Sequence, residues 1–204
     1  MIRTVIFDIG NVLMRFNWWE YILQDMDYET ADICTDAIWR RGIWNELDRG
    51  ALSLAEVMDR FCAVHPEHRA EILQALDGCG RACHKADYAI PWIRRLKAAG
   101  YRVLFLSNYS DWLIEKNRDC LDFLPELDGG VFSSHVKHIK PEREIYQIIC
   151  DRYDLTPEDC LFIDDNVSNI AAAKEFGLHA IHFAGYEQTY PQIMEYLNAE
   201  GLPV

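Results

Sequence analysis

The chain has 204 residues, half of them hydrophobic, which suffices for one domain or for one domain that carries an insertion. Its formal net charge is −13, from 20 Lys and Arg against 33 Asp and Glu. This charge argues against nucleic acid and against an anionic membrane surface as partners, because both require a basic patch. An anionic substrate would need local positive charge or a metal ion to overcome the field.

Seven cysteines are scattered along the chain, and no Cys-x-x-Cys occurs. This pattern is typical of reduced, buried thiols rather than of disulfides or a zinc site. Asp8 interrupts the first apolar stretch, which is unlike a signal peptide. No apolar run approaches the length of a membrane span. We therefore expect a soluble, cytoplasmic protein, with its oligomeric state left open.

The first part of the chain predicts one strand and then a series of helices. The strand covers residues 3–8, and no convincing strand follows between about residues 16 and 88. Helices are expected there instead, each opened by a capping residue or a first-turn proline. These helices span 17–26 (capped by Asn17), 30–41 (Thr30), 53–64 (Ser53, in a capping box with Glu56) and 66–76 (Pro66).

After residue 88 the pattern changes to alternating helices and strands. The expected strands are 102–107, 131–133, 160–164 and 179–183, and the expected helices are 88–99, 110–123, 141–153, 168–176 and 189–199. Such alternation implies right-handed crossovers and a parallel sheet with helices on both faces.

The sequence therefore predicts an α/β fold, a Rossmann-like doubly wound parallel sheet built from residues 1–15 and 88–204. An all-helical subdomain, residues 16–87, is inserted just after the first strand. An insertion at this place would act as a lid that excludes water and selects the substrate.

Three of the apolar strands end on polar residues. The strand ends carry Asp8, the pair Ser107-Asn108 and the pair Asp164-Asp165, and Lys140-Pro141 lies between the last two. In an open parallel sheet the ligand crevice lies at the carboxyl ends of the strands. These polar side chains would therefore converge on one edge of the sheet.

The acids among these residues suggest a metal site. A buried carboxylate such as Asp8 costs free energy unless it is paired or bound to a metal. The adjacent acids Asp164 and Asp165 repel each other unless a cation lies nearby. Asp8 and one of this pair, with water and a backbone carbonyl, would form an all-oxygen Mg²⁺ site. Gly10 and Asn11 would let the backbone turn sharply towards a ligand.

The remaining polar residues suit a phosphate group. A hydroxyl and amides at a strand end, as at Ser107 and Asn108, can hold phosphate oxygens. Lys140, placed by the following Pro141, would neutralise both the phosphate and a carboxylate nucleophile. Each residue alone has a bland explanation, such as turn formation or a solvated lysine. The ordered set favours a site for phosphoryl chemistry.

This ordered set resembles the motifs of the haloacid dehalogenase-like (HAD) hydrolase superfamily. The matching segments are residues 5–12 (VIFDIGNV), 104–108 (LFLSN), 140–141 (KP) and 162–166 (FIDDN). Order and spacing agree over the whole chain, and the helical insertion matches a cap placed after the first motif. The chain looks most like the subgroup that includes bacterial α-glucose-1-phosphate phosphatase.

The resemblance implies a Mg²⁺-dependent phosphatase that hydrolyses a small phosphorylated metabolite, such as a sugar phosphate. Asp8 would be the nucleophile and form an aspartyl-phosphate. Asp8, the Gly10 carbonyl and Asp165 would hold Mg²⁺. Asp164 and Asn169 would lie behind these ligands and orient Lys140 or metal-bound water.

The resemblance also implies which residues bind the substrate. Ser107 and Lys140 would take part in catalysis and would bind the phosphoryl group together with Asn108 and Asn11. In the cap, Arg41 and Trp44 would face the organic part of the substrate.

One position departs from the family pattern. Most phosphatases of the superfamily carry a second Asp two places after the nucleophile, where this chain has Gly10. That Asp is a general acid, a role that contributes about 10²–10⁴-fold in rate. Three interpretations stay open: the leaving group needs little assistance, a group from the cap or the substrate supplies the proton, or phosphatase activity is weak or lost.

Two alternatives to a phosphatase follow from the same residues. A 2-haloacid dehalogenase would use the Asp8 nucleophile on carbon without a metal. A catalytically weak HAD-fold binding protein would keep the fold and lose the turnover. The Asp164-Asp165 pair suits a metal and favours the phosphatase.

Overall fold

The computed structural model of the chain describes residues 1–197. In this part of the chain there are seven strands: β1 (Thr4–Phe7), β2 (Met14–Phe16), β3 (Cys83–Lys85), β4 (Arg102–Ser107), β5 (Gly130–Phe132), β6 (Cys160–Asp164) and β7 (His179–His182). Five of them form a parallel sheet in the order β5-β4-β1-β6-β7. The strand β1 therefore lies in the centre, between the strands that carry the other polar motifs.

Eleven α-helices surround or extend this sheet in the described residues. They are α1 (Trp18–Asp25), α2 (Tyr28–Thr35), α3 (Ile43–Arg49), α4 (Leu54–Val64), α5 (Arg69–Asp77), α6 (Ala89–Ala98), α7 (Asp111–Lys116), α8 (Ser133–Val136), α9 (Arg143–Tyr153), α10 (Val167–Phe176) and α11 (Tyr186–Tyr196). None of these helices is long and apolar enough to cross a membrane.

Side chains of the central strands alternate between two hydrophobic cores. On one face, Phe7 packs edge-on against Trp92 of α6, with ring centroids 4.6 Å apart. On the other face, Ile6 belongs to the core that includes Tyr146 of α9 and Ile170 of α10. Successive residues of a strand point to opposite faces, so helices cover both sides of the sheet. The predicted doubly wound α/β fold is confirmed.

The helices α1–α5 lie between two short strands that pair with each other. β2 and β3 form an antiparallel ribbon, in which Met14 pairs with Lys85 and Phe16 with Cys83. Neither β2 nor β3 was predicted, because three residues with a single buried side chain show no strand periodicity. The ribbon joins the two ends of the predicted insertion. The division into a core and a cap at residues 16–87 stays a prediction.

Several helix ends differ from the sequence prediction. Asp27, not Thr30, caps α2, because its carboxylate accepts the Thr30 N–H at 3.0 Å. The expected helix 110–123 ends at Lys116, and a 3₁₀ turn follows it. The last helix begins at Tyr186, three residues early, while residues 198 and 199 lie outside the described part. Asn17 and the capping box at Ser53 are confirmed.

The end of α3 is bound to the α/β domain by polar contacts. The Arg49 guanidinium forms a two-pronged ion pair with Glu142, at 2.5 and 3.0 Å. The Lys137 ammonium donates to the Gly50 carbonyl. Gly50 has a φ of +63°, and a Cβ added to it would lie only 3.1 Å from the Cβ of Ser134. Glycine therefore permits this close approach. The helical insertion is thereby held against the carboxyl edge of the sheet.

We expect Gly130→Ala to destabilise the protein, because an added Cβ would lie 2.2 Å from the Phe105 ring. Overpacking of this kind costs about 1–3 kcal/mol in free energy of unfolding, to be measured by urea denaturation. Gly10→Ala is the matched control, since a Cβ there meets nothing within 4 Å. Equal unfolding midpoints for the two variants would contradict the predicted packing of Phe105 on Gly130.

Candidate active site

The polar strand ends meet in one cavity of about 280 Å³ at the carboxyl edge of the sheet. β1, β4 and β6 are neighbours in the sheet, so the residues that follow them are brought side by side. The sequence-predicted residues that line this cavity are Asp8, Gly10, Asn11, Trp44, Ser107, Asn108, Lys140, Asp165 and Asn169. Its size suits a small molecule rather than a polymer.

Lys140 is the centre of the site. Its ammonium is buried and lies 2.8 Å from Asp8 Oδ1 and 2.6 Å from Asp164 Oδ2. Both carboxylates are buried too, so each charge is stabilised chiefly by the others. Asp8 Oδ1 also accepts the Ile9 N–H at 2.7 Å. These two contacts of Oδ1 fix the orientation of the Asp8 carboxylate. The other oxygen, Oδ2, contacts neither Lys140 nor the Ile9 N–H in this way.

The charges of this cluster shift the ionisation of its members. Burial raises the pKa of Asp8 to about 7, although Lys140 pulls it down. Burial alone would lower the pKa of Lys140, but the attraction of Asp164 and Asp8 prevails and raises it above its usual value. Lys140 is therefore a permanent cation in the site.

The adjacent acids Asp164 and Asp165 have different surroundings. Asp164 is fully buried, and its oxygens accept hydrogen bonds from Lys140, from the Asn166 N–H at 2.7 Å and from the Asn169 amide at 3.1 Å. Asp165 lines the cavity and accepts one bond, from Asn11 Nδ2 at 3.1 Å. Asp165 is thus the acid better placed to bind a ligand, and Asp164 the one that orients its neighbours.

Asn108 has a role that the sequence did not indicate. Its side-chain amide donates to the Lys140 carbonyl at 2.9 Å, and its oxygen accepts the Lys140 N–H at 2.7 Å. The pair of bonds positions the Lys140 backbone across the cavity. Ser107, at the end of β4, is buried and also lines the cavity. Phosphate binding by both residues stays a prediction.

The turn after β1 brings backbone and side chain of the first motif to the cavity. Asn11, not Gly10, has the left-handed conformation, with a φ of +54°. Asparagine tolerates this region better than most residues. The Asn11 side chain accepts the Phe16 N–H at 3.0 Å and donates to Asp165, which joins the first and last motifs.

The acids of the site fit a divalent cation. Asp8, Asp164 and Asp165 each offer a carboxylate oxygen within 4.8 Å of the other two. Burial raises the pKa of Asp165, with a contribution from the nearby Asp164. Three carboxylates thus face one ammonium group, and the surplus negative charge calls for a hard cation such as Mg²⁺.

Two aromatic side chains of the predicted insertion also line the cavity. Trp39 and Trp44 stack at 4.1 Å, and both line the cavity. Arg41 does not line it, because its guanidinium is bonded to Asp36 at 2.7 Å on the outer side of the insertion. Trp44 therefore lines the cavity, whereas Arg41 is engaged elsewhere, and substrate contact by Trp44 stays a prediction.

Sequence reasoning missed one acid of the cavity, Asp48 on α3. Asp48 is buried and lines the cavity. It belongs to no recognisable motif and no apolar strand precedes it. Apart from its place between Leu47 and Arg49, no signal in the sequence distinguishes it from the more common surface acids of a helix.

The family model for haloacid dehalogenase-like hydrolases matches residues 2–177. The chain belongs to this family of hydrolases. It is 25% identical over 201 residues to D-ribitol-5-phosphate phosphatase of Bacteroides thetaiotaomicron, covering 87% of the chain and 89% of that enzyme. It is also 30% identical over 117 residues to (S)-2-haloacid dehalogenase 4A of Burkholderia cepacia.

The dehalogenase alignment covers 57% of the chain and 51% of the enzyme, so the chain matches about half the length of that relative. Among solved structures, a HAD family enzyme of Bacteroides thetaiotaomicron, crystallised with magnesium and inorganic phosphate, superposes with a TM-score of 0.72. The identity is 20%, over 94% of this chain and 99% of that one. This likeness confirms the fold of the whole α/β domain with its insertion.

We expect Lys140→Met to lower the free energy of unfolding by about 3–5 kcal/mol, because it leaves Asp8 and Asp164 buried without a counter-charge. Denaturant titration at neutral pH measures the loss. Lys85→Met is the control, since its ion pair with Asp122 is exposed and should change the midpoint far less. A Lys140→Met protein as stable as Lys85→Met would contradict the central role of Lys140.

Proposed function

We propose that the protein is a Mg²⁺-dependent phosphatase that hydrolyses a small phosphorylated metabolite through an aspartyl-phosphate on Asp8. The observation that supports this most is the cluster in which Lys140 joins Asp8 and Asp164 beside the more accessible Asp165. A carboxylate nucleophile, a fixed cation and a surplus of acids are the groups that phosphoryl transfer requires.

The Asp8 carboxylate is oriented for attack by its own hydrogen bonds. Lys140 and the Ile9 N–H hold Oδ1, so Oδ2 would attack phosphorus. Mg²⁺, when bound by Asp8, the Gly10 carbonyl and Asp165, would neutralise charge on the phosphoryl oxygens. Lys140 would also stabilise this charge.

The phosphoryl group would lie between β1 and β4. The Ser107 hydroxyl and the Asn11 amide would donate to its oxygens, and Asn108 would act mainly by holding Lys140 in place. Asp164 and Asn169 would maintain the orientation of Lys140 without touching the substrate.

The organic part of the substrate would lie beneath the insertion. We propose that residues 16–87 form a cap on a core of residues 1–15 and 88–204, and that it excludes water from the site. Trp39 and Trp44 would cover the organic group, and a sugar phosphate fits a cavity of this size.

A metal-free dehalogenase is the second candidate, supported by the similarity to the Burkholderia cepacia enzyme. It would use Asp8 in the same way but has no use for Asp165. The three carboxylates that could share one cation favour the metal-dependent reaction. Metal dependence therefore discriminates between the two candidates.

Asp8→Asn should abolish phosphate release, because the nearly isosteric amide cannot attack phosphorus. We expect a loss of more than about 10³-fold in kcat, measured with the best substrate from a phosphate-release screen of phosphorylated metabolites in Mg²⁺. A thermal melt would show that the fold is retained. Near-normal turnover by the variant would mean that Asp8 is not the nucleophile.

Asp165→Ala should weaken Mg²⁺ binding while Asp8 stays in place. The Mg²⁺ concentration for half-maximal phosphate release should rise by about 100-fold or more. Asp151→Ala, which removes an exposed acid of α9, is the control and should leave that concentration unchanged. Phosphate release that persists in EDTA would contradict a metal-dependent mechanism, and halide release from a 2-haloacid in EDTA would favour the dehalogenase.

A further inference from the structure

Asp48 is an acid of the cavity that the mechanism above does not use. It lies on α3, is 6% exposed, and lines the same cavity as Asp8. Its Oδ1 atom is buried and has no hydrogen-bond partner within residues 1–197. Burying a carboxyl oxygen without a hydrogen-bond partner is unfavourable, so the arrangement suggests that a ligand supplies the partner.

The backbone, not the carboxyl group, holds Asp48 in place. The Ser133 hydroxyl donates to the Asp48 carbonyl at 2.6 Å, and it accepts the Tyr109 N–H at 2.9 Å. The ion pair between the adjacent Arg49 and Glu142 fixes the same turn of α3 on the α/β domain. The Asp48 backbone is thus fixed at the cavity, while its Oδ1 atom has no hydrogen-bond partner in the described residues.

The surroundings of Asp48 favour its neutral form. Burial and the nearby Asp8 raise the pKa of Asp48 to about 8, and Lys140 and Trp44 oppose this shift without cancelling it. No ion pair to Asp48 occurs in the described part of the chain. These surroundings favour the protonated form, which is the form that a proton donor needs.

Other titratable groups of the cavity are less suited to proton donation. The Lys140 ammonium is bound between two carboxylates. The Tyr109 hydroxyl accepts the Asn117 amide at 2.8 Å and contacts Met14 Sδ at 3.6 Å, and burial raises its pKa far above neutrality. Asp165 is a proposed metal ligand. Asp48 is the remaining acid, and it approaches from the insertion, where the leaving group would lie.

We propose that Asp48 is a catalytic residue that protonates the leaving-group oxygen, the role for which the first motif offers only Gly10. The proposal rests on the phosphatase function proposed above. In the first step, Asp8 forms a bond to phosphorus, the bond from phosphorus to the leaving oxygen breaks, and that oxygen takes the proton of Asp48.

The second step returns the enzyme to its starting state. Water attacks the phosphorus of the aspartyl-phosphate and gives a proton to the Asp48 carboxylate. The bond between phosphorus and the Asp8 oxygen breaks, which releases inorganic phosphate and the Asp8 carboxylate. Asp48 is then protonated again, and no further reactant is needed.

The experiment compares two esters of similar size with different leaving groups. The leaving group of p-nitrophenyl phosphate is a stable phenolate, which can depart without a proton. The leaving group of 2-phenylethyl phosphate is a basic alkoxide, which requires a proton to depart. Both are assayed with the full chain in Mg²⁺, for the wild type and for Asp48→Asn. The measured quantity is kcat/KM, which reports the steps up to the departure of the leaving group.

For Asp48→Asn we expect kcat/KM to fall by about 10²-fold or more with 2-phenylethyl phosphate, but by less than about 5-fold with p-nitrophenyl phosphate. A burst of p-nitrophenol equal to the enzyme concentration should also appear, because the second step loses its base. Asp59→Asn, which removes an exposed acid of α4, is the matched control and should leave kcat/KM unchanged with both esters. If Asp48→Asn does not fold, Asp48→Ser tests the same point.

Three outcomes would overturn the proposal. Equal losses on the two esters would show that Asp48 only binds substrate or maintains structure. Unchanged kcat/KM on both would show that it has no role. Phosphate release from neither ester by the wild type would instead contradict the phosphatase function itself, and the Asp48 proposal would fall with it.

Discussion

The buried contact of Lys140 with Asp8 and Asp164 is the interaction on which the site depends. None of these three groups would stay charged if it were buried alone, because removing an ion from water costs free energy that only a nearby opposite charge can offset. Together they form a cluster in which one cation serves two carboxylates. Removing the cation would leave a nucleophile that is largely protonated, since burial already raises the pKa of Asp8 to about 7.

The rest of the α/β domain positions this cluster. The parallel order β4-β1-β6 places three strand ends side by side, and Asn108 holds the Lys140 backbone across them. The Asp164 side chain is saturated by bonds from Lys140, Asn166 and Asn169, so it cannot turn away. The hydrophobic cores on both faces keep the strands in register, and the strands in turn hold the polar residues of the site in place.

On our proposal, the contacts of α3 give the insertion a chemical role in addition to a covering role. Arg49 and Ser133 bind the turn that carries Asp48, so the proposed proton donor is in place when these contacts are made. On our proposal, the cap supplies the acid that Gly10 lacks, and proton transfer requires these contacts of α3. Of the three interpretations that the sequence left open for Gly10, this structure supports a donor from the cap.

The sequence by itself determined the sheet, its strand ends and the set of residues at its edge. Apolar runs that end on Asp8, Ser107 and Asp164 can be placed without coordinates, because parallel strands bring their carboxyl ends to one edge. Local capping signals located most helices. The sequence did not reveal Asp27 as the cap of α2, and it did not reveal the strand β3, which forms only by pairing with the distant β2.

Only the tertiary structure decided which side chains of the insertion meet that edge. Helical periodicity tells which residues share a face but not which face docks on a neighbouring domain. Arg41 was expected at the cavity and is bonded to Asp36 instead, while Asp48, which has no motif, lines it. The docking depends on pairs far apart in the chain, such as Arg49 with Glu142, and the pattern of one segment contains no information about such pairs.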